Sequence, residues 1–232
     1  MLKIGHRGAP ILAPENTLAS FRQAITCGVD MIELDIQLTK DNQLVVFHDD
    51  DLSRIVGVNT RVEELTLAKL KEFDIGSSFD KDFKEERIPT LQEVIQLVKG
   101  QVKLNIELKP RVANREVLLR KLVVLLEEEQ FKDKVIISSF NHWLLKDLKE
   151  IDSTIKTAIL IASLPINPVK MIEDATADGI HPHHLVVTKE LVAKVQKKGY
   201  FLNVWTVNNQ VEVDKLQSYG VDGIITDNPG KY

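Results

Sequence analysis

The stretch MIELDIQLTKDNQLVVFHDD, residues 31–50, decides how the rest of this chain is read. Its first eight residues, Met31–Leu38, alternate in character: Glu33, Asp35 and Gln37 fall on one side, Ile32, Leu34 and Ile36 on the other. Side chains in a strand repeat with period two, so the two carboxylates point the same way. Asp41-Asn42 supplies a turn signal. A second strand, 43–47, is apolar and ends in His48-Asp49. Two like charges and an imidazole are costly to gather unless something balances them.

Outward from this pair the chain has a regular beat. Upstream, a short apolar strand at 2–4 ends in Gly5-His6-Arg7-Gly8, and Leu18, Phe21, Ala24 and Ile25 follow at helical spacing. Downstream, Leu91, Val94, Ile95 and Val98 predict a helix ending at Gly100. The strand 102–108 then sets Asn105, Glu107 and Lys109 against Leu104, Ile106 and Leu108. Further helices are expected at 115–129, 141–150, 169–175, 188–198 and 208–218, and further strands at 135–138, 157–161, 201–206 and 223–226. Strand and helix alternating about eight times argue for a parallel α/β architecture. A (β/α)8 TIM barrel fits best, since about 250 residues is its usual size. A doubly wound sheet fits less well, because only Gly5 and Gly8 follow the first strand and no dinucleotide fingerprint is present. The beat fails at 50–88, which is charged, holds Gly57 and Gly76, and shows one short helical pattern at 66–73. This reads as a small insertion after the second strand region of a single domain, 1–232. The last helix is expected to be short or missing after Thr226.

Composition narrows the partners. The chain has 232 residues, 44% of them hydrophobic and 28% charged, enough for one large core under a soluble surface. A net charge of −4 speaks against nucleic acid but leaves a small anion possible where cations are local. No apolar run reaches the roughly 18 residues of a transmembrane segment. Cys27 is the lone cysteine, so no internal disulfide forms and a cytoplasmic location is expected.

The polar residues fall in a positional pattern. His6, Glu33, Asp35, His48, Glu107 and Lys109 lie at or near predicted strand ends. Later strands add Ser138-Ser139-Phe140, His181, Trp205-Thr206 and Thr226-Asp227. In a barrel those ends converge on one face. Glu33 and Asp35 alone could be a solvated strand edge; Glu107-x-Lys109 repeats the arrangement and favours a built site. Three carboxylates suit a hard divalent cation, Mg2+ or Ca2+, better than zinc. His6 and His48 are candidate acid and base. Arg7 and Lys109 offer positive charge to a phosphate. Phe140 and Trp205 are either core or the wall of a pocket. His142 reads as a surface residue at a helix start, and His181-Pro182-His183-His184 lacks the spacing of a zinc site.

In order along the chain stand His6-Arg7-Gly8-Ala9, Pro14-Glu15-Asn16-Thr17, Glu33-Leu34-Asp35, Thr39-Lys40-Asp41 and His48-Asp49 with Leu52 and Arg54. Ile88-Pro89-Thr90-Leu91, Glu107-Leu108-Lys109, Val204-Trp205-Thr206-Val207-Asn208 and Thr226-Asp227-Asn228-Pro229 follow. Together they resemble the glycerophosphodiester phosphodiesterase family over almost the whole chain. The resemblance implies a barrel with 50–88 over its mouth and a divalent ion on Glu33, Asp35 and Glu107. It also implies acid–base roles for His6 and His48, and a phosphate held by Arg7 and Lys109. The expected reaction is hydrolysis of a small-molecule glycerophosphodiester to glycerol 3-phosphate and an alcohol. In such relatives the glycerol 2-hydroxyl attacks first and water opens the cyclic phosphate; His6 is expected as the base and His48 as the acid of the first step. Two alternatives stand beside it: a lysophospholipase D-like enzyme, given Phe73, Ile75, Phe79 and Phe83 in the insertion, and a relative that only binds.

Overall fold

The computed structural model describes residues 1–112 and 114–232. In chain order the elements are β1 (Leu2–Gly5), α1 (Leu18–Thr26), β2 (Met31–Leu38), β3 (Leu44–Val46), β4 (Asp51–Leu52), α2 (Ser53–Val56) and β5 (Val58–Arg61). Next come α3 (Leu67–Leu70), α4 (Leu91–Val98), β6 (Lys103–Leu108), α5 (Arg115–Glu128), β7 (Val135–Ser139), α6 (His142–Ile151) and β8 (Lys156–Ile161). The chain ends with α7 (Pro168–Asp174), β9 (Gly179–Pro182), α8 (Lys189–Gln196), β10 (Phe201–Val204), α9 (Gln210–Tyr219) and β11 (Gly223–Thr226).

Strands β1, β2, β6, β7, β8, β9, β10 and β11 pair in that order, all parallel, and β11 pairs back onto β1. The sheet is therefore a closed (β/α)8 barrel, as the sequence predicts. Alternation sorts the two faces. Leu34, Ile36, Ile106, Leu108 and Ile137 face outward and are buried under the helices, whose own apolar stripes include Leu91, Val94, Ile95, Leu145 and Leu148. Ile4, Met31, Ile136, Ala158 and Ile225 cluster inside with Phe201 and Trp205, and form an apolar floor. The register sets Glu33 beside Asn105, Asp35 beside Glu107, and Glu107 beside Ser138, so the polar inward positions of three neighbouring strands share one level of the barrel.

The segment 43–47 is not a barrel strand. A turn as short as that around Asn42 joins only antiparallel strands, since a parallel pair needs a crossover. Asn42 takes the left-handed conformation (φ 57°), and β3 runs back along the protruding end of β2, with Leu38 opposite Leu44 and Ile36 opposite Val46. The Phe47 N–H donates to the Asp35 carbonyl (3.1 Å). His48 thus returns to the level of Asp35.

Residues 50–88 hold the antiparallel pair β4–β5 and the short helices α2 and α3. Thr66 caps α3 by accepting from the Lys69 N–H, but the helix is only Leu67–Leu70, shorter than the predicted 66–73. Leu52, Val62, Leu70, Ile75 and Ile88 bury against Val45 and Phe47 in a satellite core. After β11 the residues 227–232 form a turn without a helix. Lys3 Nζ donates to the carbonyls of Cys27 (2.7 Å) and Tyr232 (2.9 Å), and Tyr232 packs on the main core.

Candidate active site

The turn after β1 brings two of the predicted residues to the mouth. Gly8 lies at φ +93°, and a Cβ there would run into Ser20 of α1. Ser20 Oγ accepts from the Ala9 N–H (2.8 Å) and donates to the Arg7 carbonyl (3.0 Å), so the turn is fastened to the helix behind it. Arg7 itself is left-handed (φ 51°). Its N–H donates to Glu33 Oε2 (2.9 Å), and its guanidinium meets Glu15 (2.9 Å) and Asp35 (3.6 Å).

Glu33, Asp35 and Glu107 converge: each offers a carboxylate oxygen, and these oxygens lie within 4.8 Å of one another. Asp35 carries most of the compensation. Lys109 Nζ is 2.5 Å from its Oδ1 and 3.1 Å from Glu107 Oε1, and Asn16 Nδ2 donates to its Oδ2 (2.9 Å). Burial works to raise the Asp35 pKa, but the charges of Lys109 and Arg7 outweigh it and hold the carboxyl below its ordinary range. Glu33 goes the other way: burial, helped by the Asp35 charge, pushes it up to about 8. Glu107 is raised for the same two reasons.

The two predicted histidines flank this cluster, and each is tethered through Nδ1 to a carboxylate. His6 Nδ1 donates to Asp227 Oδ1 (2.6 Å), and Asn208 Nδ2 holds the other oxygen of Asp227 (2.5 Å). His48 Nδ1 donates to Asp49 Oδ1 (2.6 Å), whose second oxygen accepts from Arg54 Nε (2.6 Å). A carboxylate can only accept, so both imidazoles carry their proton on Nδ1 and present Nε2 to the mouth. His6 Nε2 is 4.0 Å from Glu33 Oε2. Burial pulls the His6 pKa down, but the bond to Asp227 and the charge of Glu33 more than reverse this, and it ends above its ordinary value. His48 lies below its ordinary value: burial lowers it, with Lys109 and Arg7 adding to that against Asp35 and Asp49.

Phe140 and Trp205 meet edge to face with centroids 5.4 Å apart, and the Trp205 indole donates to the His181 carbonyl (2.8 Å). Trp205 lines the inner cavity, and exposed Phe140 follows the end of β7 beside it. The other histidines do not join the cluster. His181 is enclosed in the barrel, where burial pushes its pKa down to about 3, and its Nε2 accepts from Asn203 Nδ2 (3.2 Å). His184 pairs with Glu212 (2.9 Å), and half-buried His142 donates from Nε2 to the Leu160 carbonyl (3.1 Å). Among the described residues the three carboxylates are the one group of His, Cys, Asp or Glu gathered closely enough for an ion.

Two cavities open here. One of about 20 Å3 lies inside the mouth between His6, Glu33, Asn105, Glu107, Ser138 and Trp205. The other, of about 250 Å3, lies beside His48 between the Pro14-Glu15-Asn16 turn and Ile55, Ile75 and Phe79. Several polar contacts of the site were given no role in the sequence: Asp227, Asp49, Asn16, Asn105 and Ser138. Asp49 has a signal, since it adjoins His48. The pairing of Asp227 with His6 spans 221 residues and exists only because the barrel closes.

The model of the glycerophosphoryl diester phosphodiesterase family matches residues 6–231. The chain belongs to that family. As a member of the glycerophosphoryl diester phosphodiesterases it is a phosphoric diester hydrolase with a small-molecule substrate. It is 40% identical over 229 residues to a glycerophosphodiester phosphodiesterase of Caldanaerobacter subterraneus subsp. tengcongensis, covering 98% of this chain and 94% of that one. A phosphodiesterase of Oleispira antarctica, solved with the product sn-glycerol-3-phosphate, superposes with a TM-score of 0.94 at 32% identity, over 100% of this chain and 94% of the other. A lysophospholipase D of Mus musculus is 28% identical over 266 residues, covering 98% of this chain and 83% of that protein. No helix among the described residues is long and apolar enough to cross a membrane.

Proposed function

We propose that this site hydrolyses glycerophosphodiesters to glycerol 3-phosphate and an alcohol, with a divalent ion, Mg2+ or Ca2+, on Glu33, Asp35 and Glu107. His6 and His48 move the protons. The observation that carries this is the convergence of three carboxylates between two imidazoles, each oriented by its own aspartate. The residues fit such an ion: the donors are all oxygen, as a hard cation prefers, and two more buried oxygens without a partner, Asn105 Oδ1 and Ser138 Oγ, lie beside Glu33 and Glu107. When bound, the ion would offset phosphoryl charge and make a nearby hydroxyl more acidic.

The chain's own residues do the rest. Lys109 and Arg7 are committed to the carboxylates in this structure. Once another cation balances those carboxylates, both bases have charge to share with phosphoryl oxygens. Phe140 and Trp205 give the carbon atoms of the substrate an apolar wall and exclude water. The two imidazoles exchange protons at Nε2, and Asp227 and Asp49 keep that nitrogen aimed. Residues 1–232 act as one catalytic barrel domain with 50–88 over its mouth, and the single cysteine suits a cytoplasmic enzyme.

Glycerol 3-phosphate release from glycerophosphocholine by metal-stripped protein tests this, with Mg2+, Ca2+, Mn2+ or nothing returned, beside Glu33→Ala. Activity that needs the ion and disappears in the variant is expected. Activity without any ion would refute the role given to the carboxylates.

A second reading, lysophospholipase D-like action, is favoured by the larger cavity, whose walls of Ile55, Ile75 and Phe79 stand next to His48. Phe79→Asp separates the two: it should cut turnover of lysophosphatidylcholine at least tenfold if an acyl chain lies there, and spare glycerophosphocholine.

A further inference from the structure

Two of the buried polar atoms stand apart from the proton transfers and charge pairs described above. Asn105 Oδ1 and Ser138 Oγ have no hydrogen-bond partner in the protein, although their residues are 1% and 0% exposed. A buried oxygen left without a partner is expensive, and an aliphatic side chain at either position would avoid that cost. Their placement is regular. Asn105 on β6 lies beside Glu33 on β2, and Ser138 on β7 lies beside Glu107 on β6. All four point inward and line the same cavity of about 20 Å3. That is room for about one water molecule, which needs two to four polar partners. Apart from His6 at the rim, the remaining walls are Leu160, Trp205 and Ile225, which offer it none.

We infer that Asn105 and Ser138 together hold a single water on the barrel side of the cation site, shared with Glu33 and Glu107, and so set the affinity of the site for its divalent ion. The inference rests on the reading of the carboxylates as a cation site. Neither residue touches the reacting atoms; both are positioning residues. Because one water serves both, their contributions are coupled: removing either partner loses it, and removing the second loses nothing more. Polar groups of this kind, which support the ligands without being ligands themselves, typically change metal affinity by about 10–100-fold.

The experiment is calorimetric titration of Ca2+ into the metal-stripped full chain for the wild type, Ser138→Ala, Asn105→Ala and the double variant, with the melting temperature of each measured in chelator. Ser138→Ala removes one oxygen and almost no volume, so its folding is not in question. About tenfold weaker Ca2+ binding in each single variant, no further loss in the double, and an unchanged melting temperature for Ser138→Ala in chelator are expected. Wild-type affinity in both single variants would overturn the inference. So would additive losses, which mean two independent effects, or a loss of affinity matched by a fall in the chelator melting temperature of Ser138→Ala, which means a structural role. Those outcomes leave the cation site itself standing. A wild-type protein that binds no Ca2+, Mg2+ or Mn2+ would instead remove both the inference and the reading on which it rests.

Discussion

Glu33 and Asp35 sit two residues apart on one face of β2, and their surroundings drive them in opposite directions. Asp35 is held ionised by Lys109 and Arg7, whereas burial pushes Glu33 up to about 8. The consequence for stability has a definite sign. Folded Glu33 binds its proton more tightly than the unfolded residue, whose ordinary value is 4.5. Between pH 4.5 and about 8 the native state therefore holds the extra proton, and stability falls as pH rises through that window. Asp35 contributes the reverse: stability present above its ordinary 3.8 and lost as pH falls through its depressed folded value. The melting temperature measured in chelator should drop from pH 5 to pH 8 by more than it does in Glu33→Gln. Identical slopes would show that Glu33 is not the group responsible. The histidines make a second prediction at this scale. His6 is raised and His48 lowered. Under the proposed function this favours His6 as the acid and His48 as the base of the first step. The sequence expectation is the opposite order, and the leaving group distinguishes the two. A glycerophosphate ester of p-nitrophenol needs little leaving-group protonation. It should restore much of the rate in His6→Ala and little in His48→Ala, each of which should lose about 10²–10⁴-fold on glycerophosphocholine. Rescue of His48→Ala alone would reinstate the original order.

At the scale of elements, the strands were legible because alternation survives in them. Glu33-x-Asp35 and Asn105-x-Glu107-x-Lys109 each mark one polar face of a strand in the sequence, and the register sets the two faces side by side inside the barrel. The direction of β3 is legible in the short turn at Asp41-Asn42, which admits only an antiparallel return. Its place outside the barrel is not, because an apolar run of three residues carries no sign of where in a sheet it lies. The β4–β5 pair escaped notice for a related reason: β4 has two residues and its register is irregular, so no period exists to detect. The turn between β1 and α1 offers a direct check. Gly8→Ala would place a methyl group against Ser20 at φ +93°. It should cost about 1–3 kcal/mol in denaturant unfolding, and lower activity further by displacing His6 and Arg7. Wild-type stability would mean the turn adapts more freely than its bonds to Ser20 indicate.

For the whole molecule, closure is what completes the site. His6 comes from the first strand end and its partner Asp227 from the last, so the histidine is oriented only when β11 has docked against β1. The barrel is legible in the rhythm of the sequence, and the histidine in its place at a strand end. The pair itself is not, since nothing local links residues so far apart. Asp227→Asn removes the acceptor charge but keeps the shape. It should leave the fold and Ca2+ binding intact while lowering turnover by about 10²-fold or more; undiminished turnover would deny Asp227 its orienting role.

The outward run of β2 and the return of β3 have one more effect. His48 and the Ile55–Phe79 side of the larger cavity reach the mouth on a single excursion of the chain, between leaving the barrel at Leu38 and rejoining it at α4. Under the proposed function, one of the two proton-carrying imidazoles and one wall of the larger cavity thus share a single segment of chain. On that reading, replacing the segment between Leu38 and α4 would alter the shape offered to the substrate and the proton-carrying machinery together, and neither could be changed without the other.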